Sequence, residues 1–291
     1  MDKKLQKLRL DYKDIPIPED LDHIVRKAIK RSTSKKYPLK SIAGFVAAAI
    51  FVLSINSSHT FAKTLSNVPL LRNVVNVLTF TEYTVNEPTY KANIKVPSIS
   101  NLKNKELENS LNQKYLKENQ MLYEEFKKEI DLVKKESGGA HLGVDSGYEV
   151  KTDDANILSI ERYVVNTVGS SSTTMKFDTI DKKKEVLLSL PILFKDKSYI
   201  KLINENIKEQ MIEQMKQDEG KIYWIPEANL DYGIDAFESI SENQNFYINK
   251  DHKLVISFDK YEVAPGYMGV VEFIIPTEVI SEILVGKEYI K

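Results

Sequence analysis

Seven apolar positions, Leu107, Leu111, Tyr115, Leu122, Phe126, Ile130 and Val133, recur at intervals of three, four or seven residues. That spacing predicts a long helix running through Glu136 with its apolar stripe against a core, ended by Gly138-Gly139. A second helical pattern, with Ile200, Ile203, Ile207, Met211 and Met215 on one side, is read from Pro191 to Gln217. Strand-like runs occupy residues around 79–96, bounded by Pro88 and Pro97, and then 147–151, 157–166 and 173–180. A turn at 181–184 leads into a further strand at 185–190. Residues 246–248 and 254–258 pair as a hairpin across 249–253, residues 270–275 form a last strand, and Pro276 opens a terminal helix. Strands interleaved with two long helices predict an exterior α+β region with an antiparallel sheet, not an all-β sandwich.

A different pattern precedes this region. Residues 41–62, SIAGFVAAAIFVLSINSSHTFA, contain no Lys, Arg, Asp or Glu. As a helix this stretch is roughly 33 Å long and matches the hydrocarbon core of a bilayer. A buried core helix would show a polar face, and this stretch has none. Lys27, Lys30, Arg31, Lys35, Lys36 and Lys40 stand just before it, whereas Lys63 is the one close basic residue after it. The positive-inside bias puts the N-terminus in the cytoplasm and residues 63–291 outside, a single-pass protein of the cell membrane. A cleaved secretory signal is the competing reading, because Thr60-Phe61-Ala62 offers small residues at −3 and −1 for a cut at Ala62–Lys63. The two readings combine in an anchor that is later cut there.

The first 40 residues carry two short amphipathic patterns. Leu5, Leu8 and Tyr12 follow a helical spacing, then Ile15-Pro16-Ile17-Pro18 breaks the chain. Pro18 opens a second helix with Glu19 and Asp20 in its first turn and Leu21, Ile24, Val25, Ala28 and Ile29 on one side. So short a segment cannot bury those stripes against each other. It reads as a segment that folds onto a cytoplasmic protein, or else as a helix lying on anionic lipid. The acidic residues among the basic ones and the proline elbow favour the protein partner.

Charge sharpens the division. Residues 1–40 hold twelve Lys/Arg against six Asp/Glu, and residues 63–291 hold 29 against 36, inside a chain of 291 residues with a net charge of −1. Near-neutrality argues against direct nucleic-acid binding. The absence of cysteine excludes a disulfide framework, thiolate zinc ligation, iron–sulfur clusters and a cysteine nucleophile. His23, His59, His141 and His252 form no HExxH pattern, so no metal or other cofactor is expected. The glycines at 138–139, with Gly143 and Gly147, lack a following Gly-Lys-Ser/Thr and read as a flexible connector. Ser170-Ser171-Ser172 has no GxSxG turn around it. Glu124-Glu125 point in different directions from a helix, unlike the facing carboxylates of a glycosidase. No enzyme emerges. The distinctive stretch is Tyr261-Glu262-Val263-Ala264-Pro265-Gly266-Tyr267-Met268-Gly269, an aromatic Pro/Gly loop between strands, of the kind that collects binding residues.

Three parts of the chain together resemble the membrane-bound anti-sigma factors of the anti-sigma-V type. LxxLRLDYKDIPIPEDLDHIVRKAI at 5–29, with the basic cluster and span after it, is similar to the family's sigma-binding segment. Residues from about 79 to 170 resemble an exterior domain shared with the accessory region of a polysaccharide deacetylase. LSLPILFKDKSYIKLINENIKEQM at 188–211 and FYINKDHKLVISFDKYEVAPGYMGVVEFIIP at 246–276 resemble the companion C-terminal domain. The resemblance implies a cytoplasmic segment that sequesters an extracytoplasmic-function sigma factor, through Leu5, Leu8, Tyr12, Leu21, Ile24, Val25 and Ala28. It implies an exterior domain that binds lysozyme, after which signal peptidase and then an intramembrane protease cut the chain and free the sigma factor. The first cut would fall between Ala62 and Lys63, and the poor helix formers Gly44, Ser54 and Asn56 would ease the second. Ala264-Pro265-Gly266-Tyr267 resembles the family's lysozyme-facing loop, which points to Pro265 and Tyr267. A second contact region is implied at 169–173, around Ser171.

The expected organisation is a cytoplasmic segment at 1–40, a membrane helix at 41–62 and a tether at 63–78. A deacetylase-accessory-like domain at 79–170 and a C-terminal α+β domain at 171–291 follow. The alternatives are a membrane-anchored cell-wall or glycan-binding module, and a cell-wall-modifying enzyme. The enzyme has the shared exterior domain as its only support, and the metal-binding Asp/His motifs of the deacetylase are missing from this chain.

Overall fold

The structure, a computed structural model, describes residues 75–136, 140–226 and 236–291. The cytoplasmic segment, the membrane span and the Ala62–Lys63 pair therefore lie outside the described residues. Two strands, β1 (Asn76–Asn86) and β2 (Tyr90–Ser100), form an antiparallel hairpin turned at Pro88, where the sequence pattern shows one strand-like run. Pro97 lies inside β2 rather than bounding it. It sits beyond Ile94, where the pairing of β2 with its inner neighbour stops, so its missing N–H breaks no ladder there.

The predicted long helix is α1 (Lys105–Glu136). It is the crossover that returns the chain to β3 (Leu142–Asp153), which runs parallel to β2. The sheet is therefore mixed, with one parallel pairing, where an antiparallel sheet was expected. Strands β4 (Ile157–Val168), β5 (Ser170–Asp181) and β6 (Val186–Leu188) complete it as an antiparallel meander, in the order β1-β2-β3-β4-β5-β6. Gly143 and Gly147 are strand residues of β3, not a connector. A Cβ on Gly147 would lie 2.6 Å from the Tyr163 hydroxyl, so glycine is there to admit the ring from the neighbouring strand. The stripe on α1 covers one face of the sheet: Leu111 and Tyr115 pack with Val96, Ile99, Leu158 and Ile160, while Phe126 and Ile130 pack with Ile94, Leu142 and Val144.

The second helix, α2 (Ser198–Gln217), begins seven residues later than the pattern from Pro191 predicts. Residues 190–193 make a single 3-10 turn, and the backbone then pairs elsewhere. Lys195 donates to Ile283 O at 2.9 Å and Val285 to Leu193 O at 3.0 Å, so Phe194 bridges Leu284 instead of continuing a helix. Tyr199, Ile203, Ile207 and Met211 of α2 pack on a three-stranded antiparallel sheet, β7 (Phe246–Ile248), β8 (Leu254–Phe258) and β9 (Val271–Ile275). The predicted hairpin is present, with Asn249 accepting from the amides of Asp251 and Lys253 through its side chain. The terminal helix α3 (Thr277–Ile280) has four residues.

β8 is buried along its whole length because its two faces have different covers. One face meets α2. On the other side Tyr247 stacks on Phe177 of the large sheet at 5.1 Å, and Thr152 Oγ1 donates to Ile248 O at 2.7 Å. The expected boundary between 170 and 171 falls at the β4–β5 turn, inside the six-stranded sheet.

Candidate functional site

Two segments named from the sequence, about 90 residues apart, meet in the structure. Gly169, with φ +68°, turns β4 into β5, whose first residues are Ser170 and Ser171. The chain after β8 returns beside them. Asp259 Oδ1 accepts from Met175 N at 2.7 Å, and Lys260 N donates to Thr173 O at 3.1 Å. Lys260 Nζ then reaches Ser171 Oγ at 2.8 Å, which leaves Ser171 half-buried. Burial pushes the Asp259 carboxyl above its ordinary range. The Met175 amide offsets this in part and the nearby Glu262 charge adds to it.

Tyr261 follows in the left-handed region, φ +74°, which is costly for an aromatic residue. Its hydroxyl lies 3.1 Å from Ser170 Oγ, and Lys260 Nζ stands 5.2 Å from its ring centroid. The loop is pinned from below by buried Val263 and Ala264, with Trp224 N donating to Val263 O at 2.9 Å. Pro265 opens a 3-10 turn, Gly266–Met268, closed by Met268 N on Pro265 O at 2.9 Å. Tyr267 tops this turn at 66% exposure, its hydroxyl donating to Gly220 O at 2.8 Å. An exposed, tethered tyrosine beside a half-buried proline offers a large apolar area with few rotamers to freeze, a feature that protein interfaces often use.

Pro265, Tyr267 and Ser171 are thus part of one connected neighbourhood, with Lys260 and Tyr261 between them. Ser170 falls within the contact region read at 169–173, but Lys260 and Gly220 were not read from the sequence. Nothing local marks them, since each joins the site through a long-range contact. The proposed sigma-binding residues Leu5, Leu8, Tyr12, Leu21, Ile24, Val25 and Ala28, and the cleavage pair Ala62 and Lys63, lie outside the described residues.

Among the described residues, the charged groups of the other large polar cluster are paired with one another. A cleft of about 290 Å³ between α1 and β3–β5 has Arg162, Asn119 and Ser146 in its lining. Arg162 binds Glu118 at 2.6 Å and Asp178 at 3.0 Å, and Ser146 Oγ donates to Asn119 Oδ1 at 3.0 Å. His252 rests its Nδ1 3.3 Å from Tyr289 O. Among the described residues no group of three His, Cys, Asp or Glu is placed to hold a metal ion.

Comparison with known proteins gives the family. Residues 83–167 match a family described as deacetylase PdaC, and residues 192–278 match one described as a protein of unknown function, DUF3298. The anti-sigma-V factor RsiV of Bacillus subtilis is 48% identical over 293 residues, covering 100% of both chains. Two solved structures are also similar. A DUF3298 family member from Bacteroides fragilis has 18% identity and a TM-score of 0.49 over 73% of this chain and 94% of its own. One from Pseudomonas aeruginosa has 12% identity and a TM-score of 0.45 over 74% and 95%. Identity of this level to the B. subtilis protein, along the whole length, defines a regulator and not an enzyme. The chain belongs to the anti-sigma-V factor family and is an anti-sigma factor.

Proposed function

We propose that the protein is a single-pass anti-sigma factor of the cell membrane that holds an extracytoplasmic-function sigma factor and releases it when lysozyme binds outside. Residues 1–40 lie in the cytoplasm and lay the stripes of Leu5, Leu8 and Tyr12, and of Leu21, Ile24, Val25 and Ala28, into the sigma factor. Lysozyme docks on Pro265 and Tyr267, with Ser171 at the margin. Signal peptidase then cuts at Ala62–Lys63, and an intramembrane protease makes the second cut that frees the sigma factor. The observation that carries the reading is the full-length 48% identity to the B. subtilis anti-sigma-V factor. The joined Ser171 and Pro265–Tyr267 segments support the exterior half of it.

The test is calorimetric titration of the full chain in detergent with lysozyme, beside the double variant Pro265→Ala/Tyr267→Ala. Removing a central tyrosine from such an interface costs about 2 kcal/mol or more, so affinity falls by at least about thirtyfold. Equal binding by both proteins would move the lysozyme site away from this loop, and no binding by either would remove lysozyme as the signal.

A further inference from the structure

Tyr261 joins the two parts of the exterior surface through both ends of its side chain. Its hydroxyl is 3.1 Å from Ser170 Oγ, on the β4–β5 turn, so one end of the side chain belongs to the six-stranded sheet. Its ring lies against the other part: a Cβ built on Gly266 would fall 2.2 Å from two ring carbons and 2.4 Å from the hydroxyl. Contact that close is possible only because residue 266 has no side chain. Pro265 and Tyr267 flank that glycine directly. The backbone at Tyr261 is held at φ +74°, an unfavourable conformation that persists only where surrounding contacts enforce it. Yet the side chain is 45% exposed, so core burial is not what enforces it. The ring is neither a core residue nor a free surface residue. It is a wedge between two segments that are about 90 residues apart in sequence.

We propose that Tyr261 is a positioning residue for the exterior recognition surface. Seated between Ser170 and Gly266, its ring fixes the Pro265–Tyr267 turn relative to the β4–β5 turn, so that both meet a protein partner as one preorganised surface. This deepens the lysozyme-binding reading and rests on it for the identity of the partner. A preorganised surface loses less freedom on binding, so loss of the wedge weakens affinity without removing a contact.

The test is a double-mutant cycle on the full chain in detergent, read by lysozyme affinity. Tyr261→Gly relieves the backbone strain and removes the ring, so it folds. Gly266→Ala keeps the ring but displaces it. Each single variant is expected to bind at least about tenfold more weakly, and the double variant no more weakly than Tyr261→Gly, because the ring that the added methyl would strike is gone. Tyr261→Phe keeps the wedge and stays within about fivefold of wild type, the loss expected for one exposed hydrogen bond. Additive losses in the double variant, or wild-type affinity in Gly266→Ala, would overturn the proposal. Amide exchange at Met268, whose N–H closes the turn on Pro265, reads the same cycle with no ligand. If wild type fails to bind lysozyme the partner reading falls. The wedge still stands if the two single variants expose Met268 equally and the double variant adds nothing, and it falls if the exposures add.

Discussion

Asp178 and Asp259 show how one residue type serves opposite ends in this protein. Asp178 is 2% exposed, yet its carboxyl is held below the ordinary range. Burial alone would raise it, but the Arg162 guanidinium and the Lys114 ammonium, at 3.0 and 2.9 Å, together outweigh burial. A depressed carboxyl contributes stability that is present above its unfolded value, about 3.9, and lost as pH falls through the folded one. Asp178→Asn also strands part of a buried guanidinium, which costs about 3 kcal/mol near neutral pH. Urea denaturation should show that deficit at pH 7 and a smaller one as pH falls below about 4, where the carboxyl of the unfolded chain takes up a proton before the folded one does. A pH-independent deficit would mean the pair is held by shape and not by charge. Asp259 has the opposite sign. Its raised carboxyl contributes stability below the unfolded value that is lost as pH rises through the folded one, so Asp259→Asn, which keeps the acceptor for Met175 N, should cost little or nothing at pH 7.

Helix α1 shows what an element owes to its own sequence and what it owes to distant residues. Its first turn is closed locally: Asn104 Oδ1 accepts from Leu107 N at 3.0 Å and Glu108 Oε2 from Leu102 N at 2.8 Å. Glu185, at the β5–β6 turn, adds a carboxylate that accepts from the amides of both Lys103 and Asn104. Asn104→Ala removes the cap and should lower stability by about 1 kcal/mol in urea denaturation, with the helix content of the native state unchanged. The length of α1 was legible because its stripe, from Leu107 to Val133, repeats over about seven turns. Its role as a parallel crossover was not, since β2 and β3 read the same whichever way they pair. The late start of α2 has the same cause. Pro191 is a fit opening residue, but Leu193 and Lys195 find their partners at 283–285, and no pattern within 191–217 records that pairing. At the site, the Pro/Gly loop announced itself by composition. Lys260 did not, because its part depends on a contact across about 90 residues.

The family matches at 83–167 and 192–278 suggest two modules, but the structure ties them along β5, which lies between them. β5 pairs with β4 through its whole length and with β6 at its end, and several of its side-chain and backbone groups reach the C-terminal part. Met175 N binds Asp259, Met175 O accepts from Asn245 Nδ2 at 2.9 Å, Phe177 stacks on Tyr247, and Asp181 accepts from the Tyr289 hydroxyl at 2.6 Å. Thr152 adds a buried bond to Ile248 O. Separating the sheets would leave several of these groups unsatisfied at about 1–3 kcal/mol each, a large share of a domain's whole stability. The two sheets should therefore unfold together, in one calorimetric transition whose van't Hoff and calorimetric enthalpies agree. Because the proposed recognition surface spans that same seam, a ligand bound there would stabilise both sheets at once. Lysozyme at about a hundredfold excess over its dissociation constant contributes about 2.7 kcal/mol, which for a unit of this size raises the single transition by on the order of 5–10 °C. Two transitions, with only the later one moved by lysozyme, would show that β5 does not couple the sheets and that the signal stays in the C-terminal one. A single transition moving as a whole means that what lysozyme stabilises reaches β1, whose first described residues continue the segment that leads back to Ala62 and Lys63.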